Sequence, residues 1–148
     1  VLAAEFVVAA EHAEFFLPEA GLGIIPDTGA VRLPRILPPA VATEVLIGGR
    51  RLDAREAERW GLVNQVVPVA DLRAAALELA GRISASAPLA VEAVLAIDRA
   101  TRHLSLEEAF AHLRSGDLEA YERMLASEDA EEGLQAFVEK RDPHWQGS

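Results

Sequence analysis

The chain has 148 residues, 51% of them hydrophobic and 26% charged, which is enough apolar material for one domain-sized core and too much for a disordered segment. A net charge of −10, without a basic patch or interleaved aromatics, argues against a nucleic-acid surface, because phosphate binding needs clustered Lys and Arg. There is no cysteine and His12, His103, His112 and His144 are scattered, so disulfides and thiolate sites are excluded and a metal enzyme is not expected.

Val1, Leu2, Ala3 and Ala4 read like the interior of a buried helix, which raises the expectation that sequence precedes them. They have no basic n-region and no long apolar h-region, so they do not read as a signal peptide. Residues 6–10, with Phe6, Val7 and Val8, have the length and composition of a buried strand. Glu14, Phe15 and Phe16 suggest a second short strand beyond a turn at Glu11, His12 and Ala13. Pro18, Gly21, Gly23 and Pro26 then punctuate residues 17–27 so densely that a shaped loop is expected.

From Thr28 the pattern turns helical, broken by Pro34 and by Pro38 and Pro39, where a helix through Ile47 begins and Gly48 and Gly49 end it. Asp53 with Glu56 is an N-cap pair for a short helix closed by Gly61, and residues 62–67 read as a strand stopped by Pro68. Beyond it, Asp71 caps a helix with Leu72, Ala76, Leu79 and Ile83 on one face. Pro88 fits the first turn of the next helix, which runs to about Arg102. Ser105 and Glu108 form a capping box for a helix carrying Leu106, Phe110, Leu113 and Tyr121. Ser127 opens a last helix with an acidic first turn, ending near Arg141 before Pro143. No apolar run approaches the roughly twenty residues of a membrane span. The expected organisation is a loop-rich segment over residues 1–68 and a helical block over residues 69–148.

Chemistry is sought in the loop-rich segment. Glu19 follows Leu17 and Pro18 between apolar stretches, and a carboxylate set against apolar walls holds its proton to higher pH and can serve as acid or base. On pattern alone it is equally one of 24 acidic residues on a solvated surface. Gly21, Gly23 and Gly29 either form turns or bring peptide N–H groups close to a ligand oxygen. Asp27 is either a helix N-cap or a second carboxylate that tunes Glu19. No GxSxG, GxGxxG or GxxxxGK[ST] spacing occurs, so a serine hydrolase and a phosphate loop are not expected. Arg50, Arg51, Lys140 and Arg141 are cations that could meet phosphates, but such residues are more often solvated; Trp60 and Trp145 read as packing anchors.

The run Phe16-Leu17-Pro18-Glu19-Ala20-Gly21-Leu22-Gly23-Ile24-Ile25-Pro26-Asp27-Thr28-Gly29 resembles the second half of the active-site segment of the crotonase superfamily, the enoyl-CoA hydratases and isomerases. Leu33-Pro34-Arg35, Gly49-Arg50-Arg51, Trp60-Gly61-Leu62-Val63-Asn64, Ser127-Glu128-Asp129 and Phe137-Val138-Glu139-Lys140-Arg141 follow in the order that family shows. Three details are similar to its carnitinyl-CoA dehydratase subgroup: Ile25-Pro26-Asp27-Thr28-Gly29, Ile36-Leu37-Pro38-Pro39-Ala40, and Lys140-Arg141-Asp142-Pro143-His144-Trp145.

The resemblance implies an α/β fold, the C-terminal part of a crotonase-like ββα spiral followed by a mostly helical oligomerisation block. It implies a cytoplasmic lyase acting on an α,β-unsaturated acyl-CoA, with coenzyme A as part of the substrate, no covalently bound cofactor, no nucleic-acid or membrane partner, and assembly as a homotrimer or hexamer. Glu19 would be one of two acid–base carboxylates, with Leu17, Pro18, Gly23, Ile25, Pro26, Asp27 and Gly29 around the substrate. Phe137, Lys140 and Arg141 would contact CoA. The partner glutamate, the oxyanion-hole amides and most adenine contacts would lie before Val1. Two other readings stay open: a double-bond isomerase using a single carboxylate, and a non-catalytic fragment of the same fold.

Overall fold

The computed structural model describes all 148 residues, and these divide into two compact units, residues 1–78 and 79–148. The first unit holds all four strands. β1 (Val8–Ala10) pairs in parallel with β4 (Gln65–Val67), Ala9 opposite Val66. A parallel pair needs a crossover rather than a hairpin. The intervening chain supplies one, carrying β2 (Glu14–Phe15), β3 (Leu52–Asp53) and three helices: α1 (Asp27–Arg32), α2 (Pro39–Gly48) and α3 (Ala54–Arg59). β2 and β3 pair antiparallel, Phe15 opposite Leu52. Outside the ladder, the Asn64 side-chain oxygen accepts from the Val7 N–H at 2.7 Å, and the Asn64 N–H donates to the Val7 carbonyl at 2.9 Å.

The core of this unit lies beneath α2 and α3. Leu33, Leu37, Val45, Leu52, Leu62 and Val63 are buried together, and Leu52 is only 1% exposed. The small residues Ala42, Ala54 and Ala57 are fully covered and let the helices come close to the strands. α3 begins with the expected capping box: the Asp53 carboxylate accepts from the Glu56 N–H at 2.7 Å, and Glu56 reaches back to the Asp53 N–H. Pro39 at the first turn of α2 and Gly49 in the left-handed conformation beyond it bound that helix as the sequence indicates.

The division between the units falls within α4 (Leu72–Ser84). The second unit continues with α5 (Pro88–Thr101), α6 (Leu106–Leu113), α7 (Glu119–Leu125) and α8 (Glu128–Glu139), α5 packing chiefly on α7. Ser105 and Glu108 cap α6 reciprocally, and the Ser127 hydroxyl accepts from the Ala130 N–H at the start of α8. Past α8 the chain turns back as a strap. The Asp129 carboxylate accepts from the N–H groups of Gln146 (2.7 Å) and Gly147 (2.9 Å), and the Trp145 ring N–H donates to the Ala85 carbonyl at 2.9 Å.

Several expectations need correction. Residues 1–4 form a single turn, with the Ala4 N–H donating to the Val1 carbonyl at 3.0 Å, rather than a helix; one such bond does not offset the cost of helix nucleation. The strands are shorter than the apolar runs containing them, because only three residues of each central run find a partner. Asp27 is the first residue of α1 rather than its cap, and its carboxylate accepts from the neighbouring Thr28 N–H at 2.7 Å. Asp71 ends a 3-10 turn (Val69–Asp71) ahead of α4. The helix expected to run from Leu106 past Tyr121 is two helices, interrupted where Gly116 takes φ 81°.

Candidate functional site

Glu19 opens a 3-10 turn (Glu19–Leu22) immediately before α1. The turn is closed by backbone alone. The Gly21 N–H donates to the Pro18 carbonyl at 3.1 Å and the Ile24 N–H to the Glu19 carbonyl at 3.1 Å. Gly23, at φ 78°, sits in the left-handed region and donates to Ala20 at 3.2 Å. Helix α2 packs against this turn. The result is a half-buried glutamate whose Oε2 is shut off from water and has no hydrogen-bond partner. Ordinary buried polar atoms are satisfied, so an orphaned carboxylate oxygen calls for an explanation such as a ligand or a catalytic role.

Glu19 is flanked in the chain by Leu17 and Pro18. Leu17 is half-buried and lines a cavity of about 240 Å³ with Phe15, Phe16, Leu33, Val45, Leu52 and others. Beyond the turn, Leu22, Ile24, Ile25 and Val31 are exposed. Pro18, Gly23 and Asp27 are exposed as well, whereas Pro26 and Gly29 are buried. Gly29 faces Leu17: a Cβ on Gly29 would lie 2.7 Å from Leu17 Cδ1 and 3.1 Å from Pro26 Cβ. The residues named from the sequence over 17–29 thus lie along one continuous turn-and-helix entry.

The arginines that sequence reasoning offered to phosphates are engaged within the unit. Arg50 pairs with Glu44 (2.6 Å) and Glu56 (2.5 Å). Arg51 pairs with Glu14 at 3.2 Å and stacks its guanidinium 3.7 Å from the centre of the Phe16 ring, fastening the chain just ahead of Leu17. That contact and the Leu17–Gly29 contact escaped sequence reasoning. Each joins residues far apart in the chain, and only the isolated glycine in a helical first turn hinted at one of them.

Phe137, Lys140 and Arg141 belong to the second unit. Phe137 is 84% exposed. Lys140 holds the left-handed position after α8 at φ 57°, a conformation that usually favours glycine. Arg141 makes a two-pronged pair with Glu132 (2.6 and 2.8 Å) and meets Glu139 at 2.6 Å. These bonds, with the His144 N–H that also donates to Glu132, hold the Glu132 carboxyl down at about 2. No group of three or more His, Asp or Glu side chains converges as a metal site, and no single helix is long and apolar enough to cross a membrane.

The sequence profile of the enoyl-CoA hydratase/isomerase family matches residues 1–148. Carnitinyl-CoA dehydratases of Salmonella arizonae and Citrobacter koseri are 54% and 55% identical to the chain over 147 residues, 99% of this chain and 56% of theirs. Among solved structures, the enoyl-CoA hydratase of Bacillus anthracis superposes with a TM-score of 0.89 at 38% identity, over 99% of this chain and 56% of that one. The enoyl-CoA hydratase of Mycobacterium tuberculosis superposes at 0.88 and 36% identity, over 99% and 57%. The chain therefore spans about half the length of the relatives it matches, and its strands and helices are the C-terminal part of the crotonase-type ββα spiral with the helices that follow it. The chain belongs to the enoyl-CoA hydratase/isomerase family, of which it represents the C-terminal portion.

Proposed function

We propose that the protein adds water to, or removes it from, an α,β-unsaturated acyl-CoA, with Glu19 as one of two acid–base carboxylates. The observation that carries this reading is the Glu19 Oε2, buried with no partner among the chain's own donors. A carboxylate kept unpartnered is free to take a proton from a water molecule or to return one to carbon. In hydration, one carboxylate accepts a proton from water as the water oxygen bonds to Cβ. The π electrons move onto the thioester oxygen, and a carboxyl group then protonates Cα. Donors aimed at the enolate oxygen stabilise that step by several kcal/mol, about 3–4 for one good donor.

The identity to carnitinyl-CoA dehydratases, together with the Ile25-Pro26-Asp27-Thr28-Gly29 run, supports a trimethylammonium-bearing acyl group as the substrate. Coenzyme A enters as part of that substrate, with Phe137, Lys140 and Arg141 as proposed contacts. Assembly into a trimer or hexamer is supported by the exposed apolar side chains on α8, where Leu134, Phe137 and Val138 are 73%, 84% and 79% exposed.

The experiment is turnover of crotonobetainyl-CoA and crotonyl-CoA by the whole protein in ¹⁸O-labelled water. A hydratase returns a 3-hydroxyacyl-CoA carrying the label, faster from the betaine substrate. A shifted double bond with no oxygen incorporated would assign the isomerase reading instead. A preference for crotonyl-CoA would remove the betaine specificity while leaving the reaction class.

A further inference from the structure

We propose that Gly29 is a positioning residue for Glu19, its missing side chain forming the seat on which Leu17 holds the Glu19 turn. This rests on the reading of Glu19 as a catalytic carboxylate.

Gly29 lies in the first turn of α1 and is buried, and its backbone conformation is ordinary helix, so conformational freedom does not explain a glycine there. Space does. A Cβ would stand 2.7 Å from Leu17 Cδ1, closer than such contacts come, and 3.1 Å from Pro26 Cβ. Leu17 therefore rests directly on the α1 backbone. Two residues on, Glu19 begins the 3-10 turn, which is held by peptide hydrogen bonds and no side-chain cap. With no side-chain bond of its own, the turn takes its position from what packs around it: α2 against it, Leu17 on Gly29, and Phe16 beneath Arg51.

A methyl group at position 29 need not unfold the protein. Leu17 Cδ1 is the far end of a flexible side chain and borders a cavity of about 240 Å³ into which it can swing. The cost falls on the turn, because a Leu17 side chain that swings away no longer rests on the α1 backbone, and the turn that aims Glu19 loses that support. Displacements of about 1 Å at a reacting group lower turnover by up to about a hundredfold.

The test is Gly29→Ala in the whole protein, alone and combined with Leu17→Ala, which removes the 2.7 Å clash and leaves only Pro26 Cβ, at 3.1 Å, close to the new methyl. Two quantities are read: kcat and KM for enoyl-CoA hydration, and hydrogen exchange at the Gly23 and Ile24 amides, which bond Ala20 and Glu19. Positioning predicts a fall in kcat of about ten- to a hundredfold with KM nearly unchanged. It also predicts faster exchange at those two amides but not in α2. In the Leu17→Ala background, Gly29→Ala then loses most of its effect on both quantities. Unchanged kcat and exchange in Gly29→Ala would overturn the proposal. So would a loss that persists in the Leu17→Ala background alongside a lower melting temperature, since Gly29 would then serve the fold as a whole. If Glu19→Gln leaves turnover intact, the catalytic reading itself has failed. Altered exchange in Gly29→Ala would then mark a purely structural seat, and the positioning role falls with it.

Discussion

At the scale of single residues, the molecule contrasts two kinds of carboxylate. Glu132 is surrounded by donors. Arg141 grips both of its oxygens, the His144 N–H adds a third bond, and its carboxyl is held from an ordinary 4.5 down to about 2. A carboxyl lowered by folding contributes stability that is fully present above the unfolded value and is lost as pH falls through the folded one. The stability difference between the parent and Glu132→Gln should therefore be constant above about pH 4.5 and shrink between there and about pH 2, as read by denaturant unfolding at a series of pH values. Glu19 is the opposite case, with a buried oxygen that no donor meets. As a candidate it was legible in the sequence only through the company of Pro18, Gly21 and Gly23 and through the family resemblance. Its orphaned oxygen was not, because the turn packs against α2, which begins about twenty residues further along the chain.

At the scale of elements, the two reciprocal capping boxes came through. Asp53 with Glu56 and Ser105 with Glu108 are three residues apart, so each box forms within one turn and needs no distant partner. The strand β3, only Leu52 and Asp53, is invisible locally because β2 alone defines it. The continuous helix read past Leu113 failed for a related reason: apolar periodicity survives the interruption at Gly116, whose backbone leaves the helix. The strap over α8 belongs to the same non-local class. Asp129 is 3% exposed and accepts two peptide N–H groups from residues seventeen and eighteen positions later. Replacing it by Ala strands both donors, and bonds to a charged acceptor contribute about 1.5–3 kcal/mol, so Asp129→Ala should destabilise by about 2–3 kcal/mol in equilibrium unfolding. A change within a few tenths of a kcal/mol would mean that the strap is held by Trp145 and the backbone alone.

At the scale of the whole molecule, the order of motifs from Phe16 to Arg141 was enough to indicate the family, and the match over residues 1–148 establishes it. A site is a harder matter, because it is assembled from several parts of a chain. This chain spans 56% of the carnitinyl-CoA dehydratases it matches, and the proposal places one of the reaction's two carboxylates, Glu19, on it. The activity is therefore a property to be measured on the whole protein. The most direct measurement is kcat for enoyl-CoA hydration by Glu19→Gln beside the parent, with circular dichroism to show that both are folded. The amide keeps the size and shape of the side chain but cannot carry the proton, so kcat should fall by about 10²–10⁴-fold with the fold intact. A folded Glu19→Gln protein that hydrates its substrate within a few-fold of the parent would contradict the account.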